Sequence, residues 1–351
     1  MAGQIPEGGH RLSRLDFRTM LRRGVWCAAL FGIAVVCFGW AWPVRTEVDG
    51  FLMHLLNYCA FAVRTVVLHA LLAFLVLIKV ALLLRMRVVL LPLLGVSAFL
   101  AWPAWLEIRP KSIPSMQGDT LTVYSANLLF GKSDPEILLE DIHRSNADMV
   151  LFQEYTFTAQ DRLRDRIIAD YPHAIEHPRE NTTGKAIFSR LPFTRVSEPP
   201  ARSRMITPGI FVGVELDGQE MLVKNIHLIT PIHPRLIEHQ SRQARELIGW
   251  ADSEGRPFVL AGDFNCTPYS AHAAWLRRAG MIDAHRAVGR GYARTWSAIG
   301  LKRFITHVRI DHVYTGNGLV PVAHALGEPN GSDHRPLITT VGFPARVHPM
   351  P

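Results

Sequence analysis

The hydrophobic pattern of the chain predicts a membrane anchor in its first third. Residues 24–44 and 88–106 contain no charged side chain, and residues 65–84 contain only Lys79. A helix needs about 20 apolar residues to cross a bilayer, and a lysine near the end of a span can extend its ammonium to the interface. The pattern therefore predicts an anchor over residues 24–106 with three spans, at about 24–44, 65–84 and 88–106.

Basic residues indicate how this anchor is oriented. Five arginines lie in residues 1–23, and Arg85 and Arg87 lie between the second and third spans. Because Lys and Arg are enriched in cytoplasmic loops, we expect both groups to be cytoplasmic. The third span then leads out of the cytoplasm, so the chain beyond about residue 108 is predicted to be extracytoplasmic. This describes an integral membrane protein whose partner is the lipid bilayer.

Short apolar runs alternate with amphipathic segments after a linker predicted at residues 107–118. Strands are predicted at 120–126, 148–152, 186–189, 209–216, 220–227, 257–265, 309–315 and 336–341. Helices are predicted at 133–145, 158–169 and 234–252. The first of these helices has a cap residue, an early proline and acids in its first turn. Such an alternation over residues 119–351 predicts one mixed α/β domain.

Charge and cysteine content narrow the possible functions of this domain. The net charge of the chain is +8, but residues 119–351 hold 26 Lys or Arg against 25 Asp or Glu. Nucleic-acid binding normally requires a basic patch on the folded domain, so the overall charge supports it only weakly. Cys266 is the only cysteine of the domain, which excludes an internal disulfide, and no Cys/His spacing suggests zinc.

Polar side chains stand at the ends of six predicted strands. They are Asn127, Glu154 after Gln153, His227, Asp263 with Asn265, Asp311, and Asp333 with His334. If these strand ends meet at one edge, two imidazoles are available for proton transfer near neutral pH. Carboxylates and carboxamides without cysteine suit Mg²⁺ or Mn²⁺. Each residue alone also admits a structural role in a turn, a cap or the core, so the order and spacing of the set carry the argument.

The order and spacing resemble those of the endonuclease/exonuclease/phosphatase superfamily. This group includes deoxyribonuclease I, apurinic endonucleases, neutral sphingomyelinases and inositol polyphosphate phosphatases. The most specific elements are the sequences GDFN at 262–265 and SDH at 332–334, and GKAIFSRLP at 184–192 is similar to a middle strand of the family. The resemblance covers about residues 119–343. It implies a deoxyribonuclease I-like, four-layer α/β sandwich with its site at one end of two packed sheets.

The resemblance also implies a metal site. Glu154 would be the main ligand of Mg²⁺ or Mn²⁺, helped by Asn127 and by Asp333 through water. The apurinic endonucleases of the family carry an aspartate two residues after the asparagine, where this chain has Leu129. This departure weakens an interpretation as a DNA-repair enzyme and leaves the metal shell with one carboxylate fewer.

Five further residues receive catalytic roles by resemblance. His334 would lie beside the scissile phosphate as general base or as transition-state donor, and Asp311 would orient it. Asp263 would position or deprotonate the attacking water, and Asn265 would hold a phosphate oxygen. Family members are assigned different bases, so the choice between Asp263 and His334 stays open. His227 resembles the histidine of deoxyribonuclease I and the sphingomyelinases, where apurinic endonucleases have a tyrosine.

Two basic residues, Lys185 and Arg204, could contact phosphate, although for each of them a solvated surface charge is the favoured interpretation. The leading hypothesis is a membrane-tethered, metal-dependent hydrolase of a phosphodiester or phosphomonoester, with a phospholipid headgroup as one candidate substrate. An extracytoplasmic endo- or exonuclease is the first alternative, and a non-catalytic binding module on the same fold is the second. No obligate protein partner is inferred.

Overall fold

The computed structural model describes residues 12–109, 111–197, 209–297 and 308–345. The chain forms two compact units. Unit 1 comprises Met1–Pro43 and Cys59–Leu106, and unit 2 comprises Val44–Tyr58 and Glu107–Pro351.

The apolar helices come first along the chain. They are α1 (Leu12–Ala41), α2 (Phe51–Thr65), α3 (Val67–Leu83) and α4 (Arg87–Ile108). The segment Phe17–Ala41 of α1 and the whole of α4 are each long and apolar enough to cross a membrane. Helices α2 and α3 are separated by a bend of 69°, and they reach the length of a span only when taken together. The described helices therefore allow two spans or three, where the sequence predicts three.

Two arginines hold the helices of unit 1 at opposite ends of α1. Arg64 donates to the carbonyl oxygen of Gly39 at 2.7 Å, one of the carbonyls at the end of α1 that lack a partner within the helix. Arg22 donates to the carbonyl oxygen of Leu84 at 2.8 Å. The N-terminal arginines of α1 and the turn at Arg85 thus lie at the same end of unit 1.

Two six-stranded sheets form the centre of unit 2. The first sheet has the order β11–β12–β1–β2–β4–β3, and the second has the order β5–β6–β7–β8–β10–β9. The strands are β1 (Met116–Asn127), β2 (Met149–Gln153), β3 (His173–His177), β4 (Lys185–Ser189), β5 (Arg195–Ser197), β6 (Gly209–Leu216), β7 (Gln219–His227), β8 (Phe258–Asp263), β9 (Ile282–Asp283), β10 (Asp311–Gly316), β11 (Val320–Leu326) and β12 (Leu337–Pro344). The helices are α5 (Pro135–Ser145), α6 (Phe157–Ile168), α7 (Leu236–Glu254), α8 (Ala271–Arg278) and α9 (Ala284–Val288).

The alternation of side chains along the strands builds the layers. Val123 and Leu151 of the first sheet pack against Val223 and Val259 of the second in a core between the sheets. On the outer face of the first sheet, a second core includes residues of α5 and α6. On the outer face of the second sheet, Trp250 of α7 packs on rings from β6 and β8. Helix, sheet, sheet and helix make the four-layer α/β sandwich that the sequence predicts.

Local sequence explains the predicted elements that the structure contains. Asp134 caps α5 by accepting from the backbone N–H groups of Glu136 and Ile137 at 2.9 and 3.3 Å. The turn Asp217–Gly218 has positive φ at both residues, which joins β6 and β7 as a tight hairpin. The sequence did not predict strands β3, β5, β9 and β11 or helices α8 and α9. Strands β3 and β11 lie at a sheet edge and have polar side chains among the apolar ones, and the other four elements are short.

Strand direction positions the candidate site. Strands β1 and β2 are parallel, and so are β7 and β8. Their carboxyl ends therefore lie together, with Asn127 opposite Gln153 and His227 opposite Asp263. Strand β10 runs antiparallel to β8, so its first residue, Asp311, lies opposite Asp263.

Candidate active site

The candidate active site lies where these strand ends of the two sheets meet. Asn127 ends β1, Glu154 follows β2, His227 ends β7, Asp263 ends β8, Asp311 begins β10, and Asp333 and His334 precede β12. All of them except Asp333 are buried. The structure therefore brings the predicted strand-end residues together, as the resemblance implied.

Asn127 links the carboxylates of the two sheets. Its amide nitrogen donates to Glu154 Oε1 at 3.3 Å and to Asp263 Oδ2 at 3.2 Å. The other carboxylate oxygen of Glu154 accepts from the backbone N–H of Phe130 at 3.1 Å. Burial raises the pKa of Glu154, while the hydrogen bond from Asn127 and the nearby His334 oppose this.

An imidazole–carboxylate pair lies on the side of the second sheet. His334 Nδ1 lies 2.9 and 3.1 Å from the two oxygens of Asp311, which fixes the ring and leaves Nε2 facing the site. Nε2 is 3.8 Å from Asp263 Oδ2. Burial alone would lower the pKa of His334, but the carboxylates of Asp311 and Asp263 raise it to about 10. His334 is therefore a proton donor at neutral pH.

His227 and Asp263 are affected most by burial. His227 Nε2 lies 3.5 Å from Asp263 Oδ2 and 3.9 Å from Glu154 Oε1. Burial, with smaller contributions from Lys185 and His334, lowers the pKa of His227 to about 3, so its ring is neutral. Burial raises the pKa of Asp263 to about 8, although the charge of His334 opposes the change.

Backbone conformation concentrates strain at the site. Glu154 and Asn265 have φ of +54° and +48°, in the left-handed region that residues other than glycine rarely adopt. The backbone N–H of Asn265 donates to Asp263 Oδ1 at 2.8 Å, and its amide nitrogen donates to Asp263 Oδ2 at 3.1 Å. Asn265 therefore holds the carboxylate of Asp263, while its amide nitrogen also donates to the carbonyl oxygen of Leu228 at 2.9 Å.

Asp333 provides an observation that fits a metal ion or its bound water. Its Oδ2 accepts from Trp296 Nε1 at 2.9 Å, but its Oδ1 is buried and has no hydrogen-bond partner among the described residues. A buried carboxylate oxygen without a partner is costly unless a ligand satisfies it. Trp296 was absent from the predicted site, because it lies on a segment without periodicity, far from the motif it contacts.

The donors near Glu154 also suit a hard divalent cation. Each oxygen of Glu154 accepts one hydrogen bond, which leaves lone pairs available. Asn127 Oδ1 accepts from the backbone N–H of Leu129 at 3.0 Å, so its oxygen would reach an ion at Glu154 only after the amide turns over. Glu154 is thus available as a ligand in the observed conformation, whereas Asn127 is not.

A second group has metal-ligating atoms close together. Asp263, Asp311 and His334 offer ligand atoms that lie within 4.8 Å of one another. Both oxygens of Asp311 already contact His334 Nδ1, the arrangement of an oriented imidazole. A cation here would also face the protonated His334, so Glu154 is the better position for a metal ion.

A buried amide network behind the site was not predicted. Gln153 Nε2 donates to Ser125 Oγ at 3.1 Å and to Asn225 Oδ1 at 2.7 Å. Asn225 Nδ2 donates to the carbonyl oxygens of Phe152 and Ala186 at 2.8 and 2.9 Å. This network joins the two sheets just below the site. Its sequence signal was Asn225, a polar residue between Lys224 and Ile226 near the end of β7.

Of the two residues predicted to contact phosphate, the structure describes only Lys185. Lys185 begins β4, is buried, and lines a cavity next to His227. Its ammonium donates to the carbonyl oxygen of Thr183 at 3.2 Å, and burial lowers its pKa to about 8. Arg204 lies outside the described residues.

The two packed sheets with flanking helices are the α/β sandwich of the endonuclease/exonuclease/phosphatase fold. The chain belongs to the endonuclease/exonuclease/phosphatase family, whose model matches residues 124–334. A search of curated proteins found no match.

Several solved structures share this fold. An endonuclease/exonuclease/phosphatase from Beutenbergia cavernae DSM 12333 is 22% identical with a TM-score of 0.52, over 64% of this chain and 72% of that chain. TDP2 of D. rerio, complexed with single strand DNA product, is 17% identical with a TM-score of 0.53, over 64% of this chain and 100% of that chain. The endonuclease/exonuclease/phosphatase family protein from Bacteroides thetaiotaomicron is 18% identical with a TM-score of 0.51, over 65% of this chain and 99% of that chain. At these identities the similarity establishes the fold.

Proposed function

We propose that this protein is a membrane-tethered, divalent-metal-dependent phosphoesterase that hydrolyses a phosphate ester at a membrane surface. The observation that carries the proposal is the convergence of Asn127, Glu154, His227, Asp263 and His334 in one buried site. Each of these side chains comes from a different strand end. A structural core has no need to bury so many ionisable groups together, because each costs free energy unless it is compensated.

Glu154 would hold Mg²⁺ or Mn²⁺, with Asp333 accepting a hydrogen bond from a water on the ion and Asn127 joining after its amide turns over. The bound ion would neutralise charge on a phosphate oxygen and on the leaving group. His227 would donate a hydrogen bond to a remaining phosphate oxygen. Asn265 would do so only after giving up one of the two bonds that its amide nitrogen makes to Asp263 and Leu228. The neutral state of His227 suits this role, since one ring nitrogen then carries a hydrogen and the other does not.

Proton transfer would involve Asp263 and His334. We propose Asp263 as the base: a water molecule attacks phosphorus, its proton passes to the carboxylate of Asp263, the P–O bond to the leaving group breaks, and the departing oxygen takes a proton from solvent water. His334, protonated and held by Asp311, would donate to a phosphate oxygen as charge accumulates there. The pKa of Asp263, about 8, lies near neutral pH, where basicity and the fraction of ionised carboxylate are best balanced for a general base.

The apolar helices support a membrane tether. Two or three of them could span a bilayer. The hydrogen bond from Arg22 to the carbonyl oxygen of Leu84 joins the basic N-terminal part of α1 to the turn at Arg85, and this pairing supports a common cytoplasmic side for both. Unit 2 would then be extracytoplasmic, in the periplasm or outside the cell.

A phospholipid is the substrate class we favour, because an anchored enzyme meets lipid headgroups at high local concentration. A nuclease is the second candidate, favoured by the similarity of fold to TDP2 with its bound single strand DNA product. The near balance of basic and acidic residues in 119–351 argues against it, since nucleic-acid affinity depends on clustered positive charge.

The test uses the detergent-solubilised full chain, because Glu107 of α4 bonds to Arg309 within unit 2. Release of phosphate or headgroup is measured on phospholipid vesicles, inositol phosphates, DNA and RNA, with Mg²⁺, with Mn²⁺ and with EDTA. We expect activity that requires the metal and that His334→Ala abolishes. His239→Ala, an exposed histidine of α7, is the matched control and should retain activity.

Activity that survives EDTA or His334→Ala would contradict the proposed mechanism. Cleavage of nucleic acids alone, weakening steeply with salt, would assign the nuclease function. Absence of cleavage for every substrate with either metal would leave the non-catalytic binding module as the better interpretation.

A further inference from the structure

A cavity of about 240 Å³ opens beside the candidate phosphate centre. Its wall includes Lys185, His227, Leu228, Ile229, Ile232 and Leu236. His227 belongs to both the cavity and the site, since its Nε2 lies 3.5 Å from Asp263. The cavity therefore adjoins the position where the phosphate would be cleaved.

The cavity combines one buried cation with an apolar wall. In the described part of the chain, no carboxylate lies within 4.0 Å of the Lys185 ammonium, which donates one hydrogen bond, to Thr183. A buried ammonium without a counter-ion destabilises the fold unless an anion accompanies it. The four aliphatic residues of the wall, by contrast, offer hydrocarbon contacts. A ligand that suits both is an anion attached to a hydrocarbon chain.

The wall is rigid before any ligand binds. The backbone N–H of Leu228 donates to the carbonyl oxygen of Asp263 at 2.9 Å. The backbone of Ile229 bonds to two side chains of α7, with its N–H donating to Gln243 and its carbonyl oxygen accepting from Gln240, both at 2.9 Å. A preformed cavity costs little ordering entropy when it binds a ligand.

The volume of the cavity and the residues that line it limit which ligands it can bind. Sites for drug-sized molecules measure about 300–1,000 Å³, so this cavity suits one chain segment and not an entire lipid. Recognition of an unpaired nucleobase generally uses an aromatic stacking partner. The described residues that line the cavity include no Phe, Tyr or Trp.

The helix that follows the cavity residues contacts the part of α2 that belongs to unit 2. Ile232 on the rim is 78% exposed. Glu238, in the first turn of α7 after the cavity residue Leu236, contacts His54 of α2. Phe51, one turn before His54, is 77% exposed. Exposed apolar side chains of this kind suit contact with a lipid surface.

We propose that this cavity binds the hydrocarbon portion of a membrane-lipid phosphate ester next to the scissile phosphate, with Lys185 pairing with the phosphate. This inference rests on the proposed phosphoesterase function and specifies its substrate class. It makes Ile232 and Leu236 the residues that select a lipid.

The test compares three esters that release p-nitrophenol: methyl, octyl and thymidine 5′ p-nitrophenyl phosphate. The full chain in detergent is assayed with Mg²⁺ or Mn²⁺, and kcat/KM is measured for each ester. We expect the octyl ester to exceed the methyl ester by about tenfold or more, the change that burial of two methylenes provides. Ile232→Ser should lower this octyl-to-methyl ratio at least about threefold.

Two further variants test whether the change in the octyl-to-methyl ratio of kcat/KM arises in the cavity. Ile137→Ser, an exposed isoleucine on α5, should keep the octyl-to-methyl ratio, which controls for partition of the octyl ester into detergent. Lys185→Gln should lower kcat/KM for both esters by a similar factor, about tenfold, because both carry the phosphate.

An octyl-to-methyl ratio near one, or a ratio that Ile232→Ser leaves unchanged, would overturn the inference while the phosphoesterase function stands. A preference for the thymidine ester that Ile232→Ser reduces would assign the cavity to a nucleoside instead. If none of the three esters is hydrolysed with either metal, the proposed function fails, and the inference fails with it.

Discussion

Two buried ionic clusters lie on opposite sides of one dipeptide, Asp311–His312. Asp311 points to the active-site cluster, where it contacts His334. His312 points to what we call the arginine cluster, formed by Arg309, Glu107, Asp283 and His312. Successive side chains of a strand face opposite ways, so one strand start serves both clusters.

The arginine cluster satisfies its charges internally. Arg309 donates to both oxygens of Asp283, at 3.1 and 2.9 Å, and to Glu107 Oε2 at 2.7 Å. It also donates to His312 Nδ1 at 2.9 Å. Burial alone would raise the pKa of Asp283, but the guanidinium of Arg309 holds it well below its usual range.

The active-site cluster leaves its charges incompletely paired. Asp263 has a raised pKa, Asp333 has an oxygen without a described partner, and Lys185 has no counter-ion among the described residues. We therefore expect the same residue types to serve stability in one cluster and ligand binding in the other. The difference lies in whether a fixed opposite charge is present, and mutations can test it.

The largest expected contrast is between the two histidines. His334→Ala should lower kcat by at least about 10³-fold, since it removes a proton donor and a charge beside the phosphate. The melting temperature should fall as well, because the buried carboxylates of Asp311 and Asp263 lose the charge that faces them. His312→Ala should also lower the melting temperature, but it should keep kcat within about tenfold of the wild type. Equal losses of kcat in both variants would mean that the two clusters are not functionally distinct.

The arginine cluster should dominate stability. Arg309→Met leaves the carboxylates of Asp283 and Glu107 buried without their partner, and this should cost about 3–5 kcal/mol of unfolding free energy. Thermal unfolding of the detergent-solubilised chain, followed by tryptophan fluorescence, measures it. Adding Asp283→Asn and Glu107→Gln to Arg309→Met should recover part of the loss. If the triple variant is less stable than Arg309→Met, then unpaired buried charge does not explain the loss of unfolding free energy in Arg309→Met.

Glu107→Gln should have a smaller effect. It keeps the shape of the side chain and weakens one hydrogen bond to Arg309, which retains both bonds to Asp283. A hydrogen bond to a charged group contributes about 1.5–3 kcal/mol, which sets the expected loss of stability. Glu140→Gln on the exposed surface of α5 is the matched control and should change stability by no more than about 0.5 kcal/mol. A loss equal to that of the control would mean that Glu107 adds nothing to the cluster.

The sequence revealed the two clusters unequally. The active-site residues were predictable because each follows or precedes an apolar run, and together they match a family pattern. The arginine cluster was not predictable, because Glu107 and Arg309 are 202 positions apart and neither ends a recognised motif. Arg309 lies two residues before Asp311 in the sequence, yet the structure pairs it with Asp283.

The secondary structure also contains elements that the sequence predicted and others that it did not. Strands that alternate or are wholly apolar were predicted within a few residues, since that pattern reflects the faces of the sheets. The edge strands β3 and β11 were not, because their pairing with a neighbouring strand, and not their own pattern, makes them strands. The bend between α2 and α3 was also missed, since an apolar run alone does not indicate where a helix breaks.

The last prediction concerns the sign of a pH effect on stability. Asp263 has a folded-state pKa of about 8, above the value near 3.9 of an unfolded chain. Its contribution to stability is therefore fully present below about pH 4 and is lost as the pH rises towards 8. Asp263→Asn should match the wild type in unfolding free energy near pH 4, and its advantage over the wild type should grow steadily from pH 5 to pH 8, measured with EDTA present.

Asp283→Asn is the matched control for Asp263→Asn, with the opposite sign. The depressed pKa of Asp283 makes its contribution present above the unfolded-state pKa and lost only as the pH falls through the folded-state value. This variant should therefore lose stability throughout pH 5–8. A loss for both variants at pH 8 would show that Asp263, like Asp283, is a stabilising carboxylate, and the distinction between the two clusters would then fail at the residue proposed as the base.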